Sequence, residues 1–285
     1  MVSVAVVVDS IACLTREMVE QYGIKVLPLN FYVGDRIYRD WVDVTPSEAY
    51  ELFLKDPDSF KTSSVSPGEC IEAYREVGQK ADSIICITVS SKISAVNNSA
   101  TEAKNQVREE LPRVTIEVFD SRTCAAAEGF IALAAARAAA AGKDLAEVVK
   151  AAEEVRERAS FLIFLDTMRH VYRSGRIPKI ASQAGSVLSV KPILTTASGV
   201  LHFAGVARSK RSGVEKLLKM MRERVGSNPV HVAVTHAYAP DDAVALKERI
   251  SSEFDCPELW ISEFSPLMGY ACGTGALGIA FYSEG

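Results

Sequence analysis

"SIICITVSSKISAVNNSA", residues 83–100, passes from an unbroken apolar run through a hydroxyl-rich turn into a helical pattern, and that order decides the fold class. An apolar run without polar alternation needs cover on both faces, which is the situation of a strand inside a helix-covered sheet. The same run recurs in "VSVAVVVD" (2–9), "VTIEVFD" (114–120), "SFLIFLD" (160–166) and "VHVAVTH" (230–236), and all five read as buried parallel strands. Helical patterns near 15–23, 46–55, 67–80, 96–111, 124–141 and 144–158 alternate with them. The alternation predicts an α/β protein whose mostly parallel sheet is flanked by helices.

Two stretches depart from this rhythm. "PLNFYVGDRIYRDW" (28–41) places β-rich runs on either side of Gly34-Asp35, and "KPILTTASGVLHFAG" (191–205) does so around Ser198-Gly199, so both read as hairpins. "HVYRSGRIPKIAS" (170–182), rich in Gly, Arg and Pro, reads as a crossing between lobes. The expected division is an N-terminal α/β lobe over 1–159 and a second α/β lobe over 160–285, with a ligand cleft at their junction.

Composition narrows the function. Among 285 residues, 32 Lys and Arg face 36 Asp and Glu for a net charge of −4, with no basic run to track a phosphate backbone, so nucleic acid is not an expected partner. The apolar N-terminal run stops at Asp9 and lacks a basic flank, which fits a strand rather than a secretion signal. The Ala-rich stretch 124–141 is broken by Glu128 and Arg137, which suits a buried helix rather than a membrane span. A cytoplasmic location is the expectation. Six scattered cysteines form no C-x-x-C pair, so neither a metal nor a disulfide framework is expected, and most read as small core residues.

Hydroxyl groups dominate the candidate chemistry. Ligands of open α/β sheets sit at the carboxyl ends of strands, and there the chain carries Asp9-Ser10, then Ser90, Ser91 and Ser94, then Asp120-Ser121. Each precedes a helix, where backbone N–H groups favour an anion. In "KTSSVSPGEC" (61–70), Ser66 and Glu69 form a capping box, which leaves Thr62, Ser63 and Ser64 without a local task. Near the C-terminus, Gly269, Gly273, Gly275 and Gly278 allow close backbone approach to a ligand or another chain, or form a tight loop feeding an edge strand. No G-x-S-x-G elbow, P-loop or H-E-x-x-H is present. His236 is the histidine best placed for a pocket, and His170 with Arg169, Arg173 and Arg176 suggests a basic patch at the surface or between lobes.

Seven stretches, in order, resemble one family. "VVVDSIACL" is similar to its opening strand and Asp-Ser-Thr turn, "TSSVSPGE" to Thr-Ser-Gln-Pro-Ser, "SSKISAVNNSA" to Ser-Ser-x-Leu-Ser-Gly-Thr-x-x-Ser-Ala, and "VFDSRT" to its Asp-Ser segment. "YRSGRI" resembles Lys-Gly-Gly-Arg-Ile, "KPILTTASGVL" resembles Lys-Pro-Ile-Leu-x-x-x-x-Gly, and "PLMGYACGTGALGIAF" resembles Pro-x-x-Gly-x-His-x-Gly-Pro-Gly-x-Leu-Gly. The chain is identified as resembling the DegV family over nearly its whole length. The resemblance implies a two-lobed α/β fold that holds a long-chain fatty acid without a cofactor, its tail in an apolar tunnel and its carboxylate near the lobe junction. It also implies a carrier rather than an enzyme, one that presents the acid to a separate fatty-acid kinase.

Carried over residue by residue, the ligand-binding set is Thr62, Ser63, Ser94, Gly269, Ala271 and Gly273, with Thr62 and Ser94 as carboxylate anchors. The chain departs from the family pattern where its histidine falls on Ala271, its inter-glycine proline on Thr274, its Gly-Thr on Ala95-Val96 and its Gln-Pro on Ser64-Val65. Loss of the imidazole removes a hydrogen bond worth about 1–3 kcal/mol to a buried head group. The alternatives are a different small ligand, ester or thioester hydrolysis by Ser94 with His236 as base, and a docking module built on Arg169, Arg173 and Arg176.

Overall fold

The computed structural model describes residues 3–176 and 191–284. Its first sheet contains β1 (Val4–Asp9), β2 (Lys25–Leu27), β6 (Ser83–Thr88) and β7 (Thr115–Asp120), in the order β2-β1-β6-β7 with every pair parallel. β6 is buried at all six positions, the two-sided cover that its sequence demands. The helices α1 (Arg16–Tyr22), α3 (Pro67–Gly78), α4 (Val96–Val107), α5 (Ala126–Ala140) and α6 (Leu145–Arg158) supply the connections and the cover. Ser66 starts α3 as expected: its hydroxyl accepts from the Glu69 N–H at 3.2 Å while its own N–H donates to Glu69 at 2.7 Å.

A small antiparallel sheet stands beside this one. Its strands β3 (Asn30–Val33), β4 (Arg36–Arg39) and β5 (Phe60–Ser63) lie in the order β4-β3-β5, and the β3–β4 hairpin turns at Gly34 with φ 59°. Phe31 stacks on Tyr38 and on Phe60 at 5.1 and 5.0 Å between ring centroids, so three strands share one aromatic face. The helix α2 (Pro46–Lys55) connects β4 to β5.

The rest of the chain builds a six-stranded sheet. It contains β8 (Ser160–Phe164), β9 (Lys191–Ala197), β10 (Val200–Ala207), β11 (Val230–His236), β12 (Leu259–Glu263) and β13 (Leu277–Ser283), in the order β10-β9-β8-β13-β11-β12. Here the parallel expectation is corrected. β8 is antiparallel to both neighbours, and β11 is parallel only to β12 and antiparallel to β13. The physical reason is that α8 (Lys210–Val225) and α9 (Pro240–Glu253) cover one face and α5 and α6 the other, and two-sided cover writes the same apolar run whatever the strand direction. β13 is also central, not the edge strand that the glycine-rich stretch suggested. The β9–β10 hairpin turns at Ser198 and Gly199, as expected, with φ 50° and 83°.

Between the two large sheets lies α5, buried on nearly every side, touching β1 and β6 on one flank and β8, β11 and β13 on the other. Alanine is what such a position requires, because larger side chains on both flanks would hold the sheets apart. Phe130 is its one aromatic residue, meeting Trp260 and Tyr282 edge-on at 4.5 and 5.0 Å. Five of the six cysteines are buried as free thiols. Among the described residues no helix is long and apolar enough to cross a membrane.

Candidate functional site

A slender channel runs where the two halves of the chain meet. The first half lines it with Ile11, Leu29, Ser63, Ser64, Ile93, Ser94 and Cys124. The six-stranded sheet adds Phe161, Ile163, Leu194 and Leu201. Two short helices, α7 (Arg169–Ser174) and α10 (Pro266–Cys272), close it with Val171, Leu267, Met268, Ala271 and Cys272, and Arg176 follows α7. Counted out to its mouth the void is about 700 Å³. Among the described residues the lining is aliphatic apart from its hydroxyls, two thiols, one thioether, one aromatic ring and one guanidinium, a surface that favours a flexible apolar chain.

The hydroxyls divide by whether the fold already uses them. Ser90 donates to the carbonyl of Gly199 at 2.6 Å, and Ser91 to the Asp120 carboxylate at 2.6 Å. The backbone N–H of Ser91 also donates to Asp120, at 3.2 Å, so this helix entry carries its own carboxylate. The expected anion site at this turn is thereby reduced to Ser94, whose hydroxyl has no hydrogen bond to any described residue. Ser64 is the sharper case: its hydroxyl is buried, lines the channel and meets no partner among the described residues. Leaving such a group unpaired costs about 1–3 kcal/mol.

The expected ligand set is distributed as follows. Ser63, Ser94 and Ala271 line the channel. Thr62 lies outside the lining, on β5 opposite Phe31. Gly269 packs against the Tyr50 ring, where a Cβ would fall 2.1 Å from Cε1. Gly273, with φ 81°, packs against His170, where a Cβ would fall 2.5 Å from Cδ2. Both glycines therefore serve packing of α10 against protein side chains. The expected set lacked the apolar lining and, among the groups that could hold a carboxylate, Ser64 and Arg176. Their signals were a hydroxyl left without a cap to make and the arginine of "YRSGRI".

His236 stands apart. It ends β11, outside the channel lining, and its Nδ1 accepts from the Ala239 N–H at 3.2 Å, 4.0 Å from Glu263. No hydrogen bond among the described residues joins it to Ser94, and burial lowers its pKa. Of the expected basic patch, Arg169 and Arg173 are exposed, while His170 is half-buried, faces Phe53 and Gly273, and has its pKa lowered by burial and by Arg173 and Arg169. Arg173 lies over the Tyr270 ring at 4.8 Å and 3.6 Å from Asp58. Positions 177–182 of the expected crossing lie outside the described residues.

A mixed α/β protein with a largely apolar cavity where the two halves of its chain meet is the class that this architecture defines. The sequence model for uncharacterised proteins of the DegV family matches residues 3–284, and the chain belongs to that family. It is 30% identical over 281 residues to protein DegV of Bacillus subtilis (strain 168), covering 98% of this chain and 99% of the relative. It is 34% identical over 284 residues to a DegV domain-containing protein of Streptomyces coelicolor, covering 99% of each. Among solved structures, DegV from Bacillus subtilis, described as a fatty acid binding protein, matches with a TM-score of 0.91 at 29% identity over 100% of both chains. A DegV family protein from Thermus thermophilus, described for fatty acid binding, matches at 0.89 with 26% identity over 99% of both.

Proposed function

We propose that this protein binds one long-chain fatty acid non-covalently, with the acyl tail in the channel and the carboxylate among Ser94, Ser64 and Ser63, and that it does so as a carrier rather than as an enzyme. The observation that carries this reading is the buried, unpartnered hydroxyl of Ser64 in an otherwise apolar passage. A hydroxyl there needs an acceptor, and a carboxylate accepts from Ser64 and Ser94 together. Arg176, the one cation among the described lining residues, offsets its charge. Ala271 offers the head group only a methyl, so the hydroxyls carry more of the binding. Delivery to a separate fatty-acid kinase belongs to the same proposal. It is supported by the family resemblance and by exposed Arg169 and Arg173 on α7, the helix whose Val171 lines the channel.

The decisive experiment is mass spectrometry of an organic-solvent extract of the purified protein, beside a control protein prepared identically. A near-stoichiometric fatty acid is the expected result. An extract without one, followed by failure to take up added oleate, overturns the reading and directs attention to a different small ligand.

A further inference from the structure

Three segments wall the channel on the side of the first sheet, around Ile11, around Ile93 and Ser94, and around Cys124. They meet behind it at two wholly buried carboxyl groups. Asp9 accepts from the Val89 N–H at 2.7 Å and from the Ile11 N–H at 3.0 Å, so it joins the end of β1 to the start of the 89–94 turn. Glu128 comes from the first turn of α5, four residues after Cys124. No N–H or hydroxyl of the described residues reaches either of its oxygens, and the nearby Asp9 carboxyl, with burial, raises its pKa.

Among the described residues no cation is in place to neutralise the pair. The charged groups facing it are Asp40, from the loop after β4, and Asp120, at the end of β7. The remaining titratable neighbours are the thiols of Cys13, Cys70, Cys86 and Cys124. Two carboxyls in contact in such surroundings cannot both ionise, and one keeps a proton.

We propose that Glu128 is held as a neutral carboxylic acid donating its proton to the Asp9 carboxylate, and that this pair positions the three wall segments of the channel. The second half of the statement rests on the channel being the ligand site; the first half does not. Asp9, with an N–H on each oxygen, is the acceptor, and Glu128, with none, is the donor; burial raises Asp9 to about 6 and Glu128 well above its ordinary value. The folded state then holds a proton that the unfolded chain releases. Stability from the pair is complete below the unfolded carboxyl range and declines as pH rises toward the folded value of Glu128. One such proton lowers the folding constant by about tenfold per pH unit.

The test begins with the wild-type protein without added lipid: infrared difference spectra at pH 7.5, and urea unfolding between pH 7.5 and 9, above the range in which Asp9 and Asp40, both raised to about 6, titrate. The expected results are a protonated-carboxyl band that disappears in Glu128→Gln, and a pH-dependent loss of stability that this variant flattens. An amide still donates to Asp9, so Glu128→Gln is expected to keep its uptake of added oleate, whereas Glu128→Leu, which cannot donate, is expected to lose at least tenfold in oleate retention. Absence of the band from the wild type overturns the neutral-acid assignment even if neither variant folds. An unchanged pH slope in Glu128→Gln overturns it as well. Oleate retention in Glu128→Leu equal to wild type overturns the positioning role. Failure of the wild type itself to bind oleate strikes the ligand reading and leaves the band and the slope to judge the pair.

Discussion

The Ser90 hydroxyl donates to the carbonyl of Gly199 at 2.6 Å, joining the Ser-rich turn after β6 to the tip of the β9–β10 hairpin. Lys92 donates to the neighbouring Ser198 carbonyl at 2.9 Å, and the Thr123 and Thr196 hydroxyls lie 2.9 Å apart, so the two halves of the chain are clasped beside the channel. Ser90 is wholly buried. Ser90→Ala leaves the Gly199 carbonyl unpaired and is expected to cost about 1–3 kcal/mol in urea unfolding. Ser91→Ala, which removes an exposed bond to Asp120, is expected to cost less than about 1 kcal/mol. Equal losses in the two variants would refute the clasp.

Ala271 lines the channel, at the position where the resemblance to the family pattern places a histidine. Ala271→His is expected to strengthen oleate binding by about 1–3 kcal/mol, the worth of a buried hydrogen bond to a carboxylate. Calorimetric titration measures it, and unchanged affinity in a folded variant would show that the head group lies elsewhere.

The two hydroxyls are expected to act together. Ser64→Ala with Ser94→Ala should lower oleate affinity by about 2–4 kcal/mol, on the scale of hydrogen bonds to a charged group, without lowering the melting temperature, since neither hydroxyl has a partner among the described residues. Full occupancy of the double variant by co-purified lipid contradicts this.

Asp40 makes a separate pH prediction. It is wholly buried, accepts from the Ser265 hydroxyl at 2.6 Å, and burial raises its pKa to about 6. A raised folded value means that its contribution is complete below the unfolded value near 3.8 and is lost as pH climbs through about 6. That loss amounts to about 3 kcal/mol. Asp40→Asn should therefore stabilise the protein at pH 7.5 and change little at pH 4, as read from urea midpoints.

Much of the architecture was legible because it depends on local chemistry. The Ser66 capping box, the turns at Gly34 and Ser198-Gly199, and the six helices of the first half follow from residue types a few positions apart. Strand direction in the six-stranded sheet was not legible, because cover on both faces produces the same apolar run in β6, β8 and β11. At the site, the sequence shows a surplus of hydroxyls, but which ones are spare depends on distant partners: Gly199 takes Ser90, Asp120 takes Ser91, and Ser64 is left over. Tyr50 and His170, which face Gly269 and Gly273, are likewise remote in the chain, so those glycines read equally well as ligand contacts.

The alanines of α5 act as a gauge. The helix contributes no residue of its span to the channel lining, yet it is wedged between the sheet that supplies Phe161 and Ile163 and the sheet whose following turns supply Ile11 and Ile93. A leucine at Ala132 or Ala135 would have no empty volume to enter and would have to pry one sheet from the other. The width available to a bound chain is thus fixed from behind, by side chains that never touch it, and drift in cargo preference among related proteins can begin in a helix that no inventory of contacts would include.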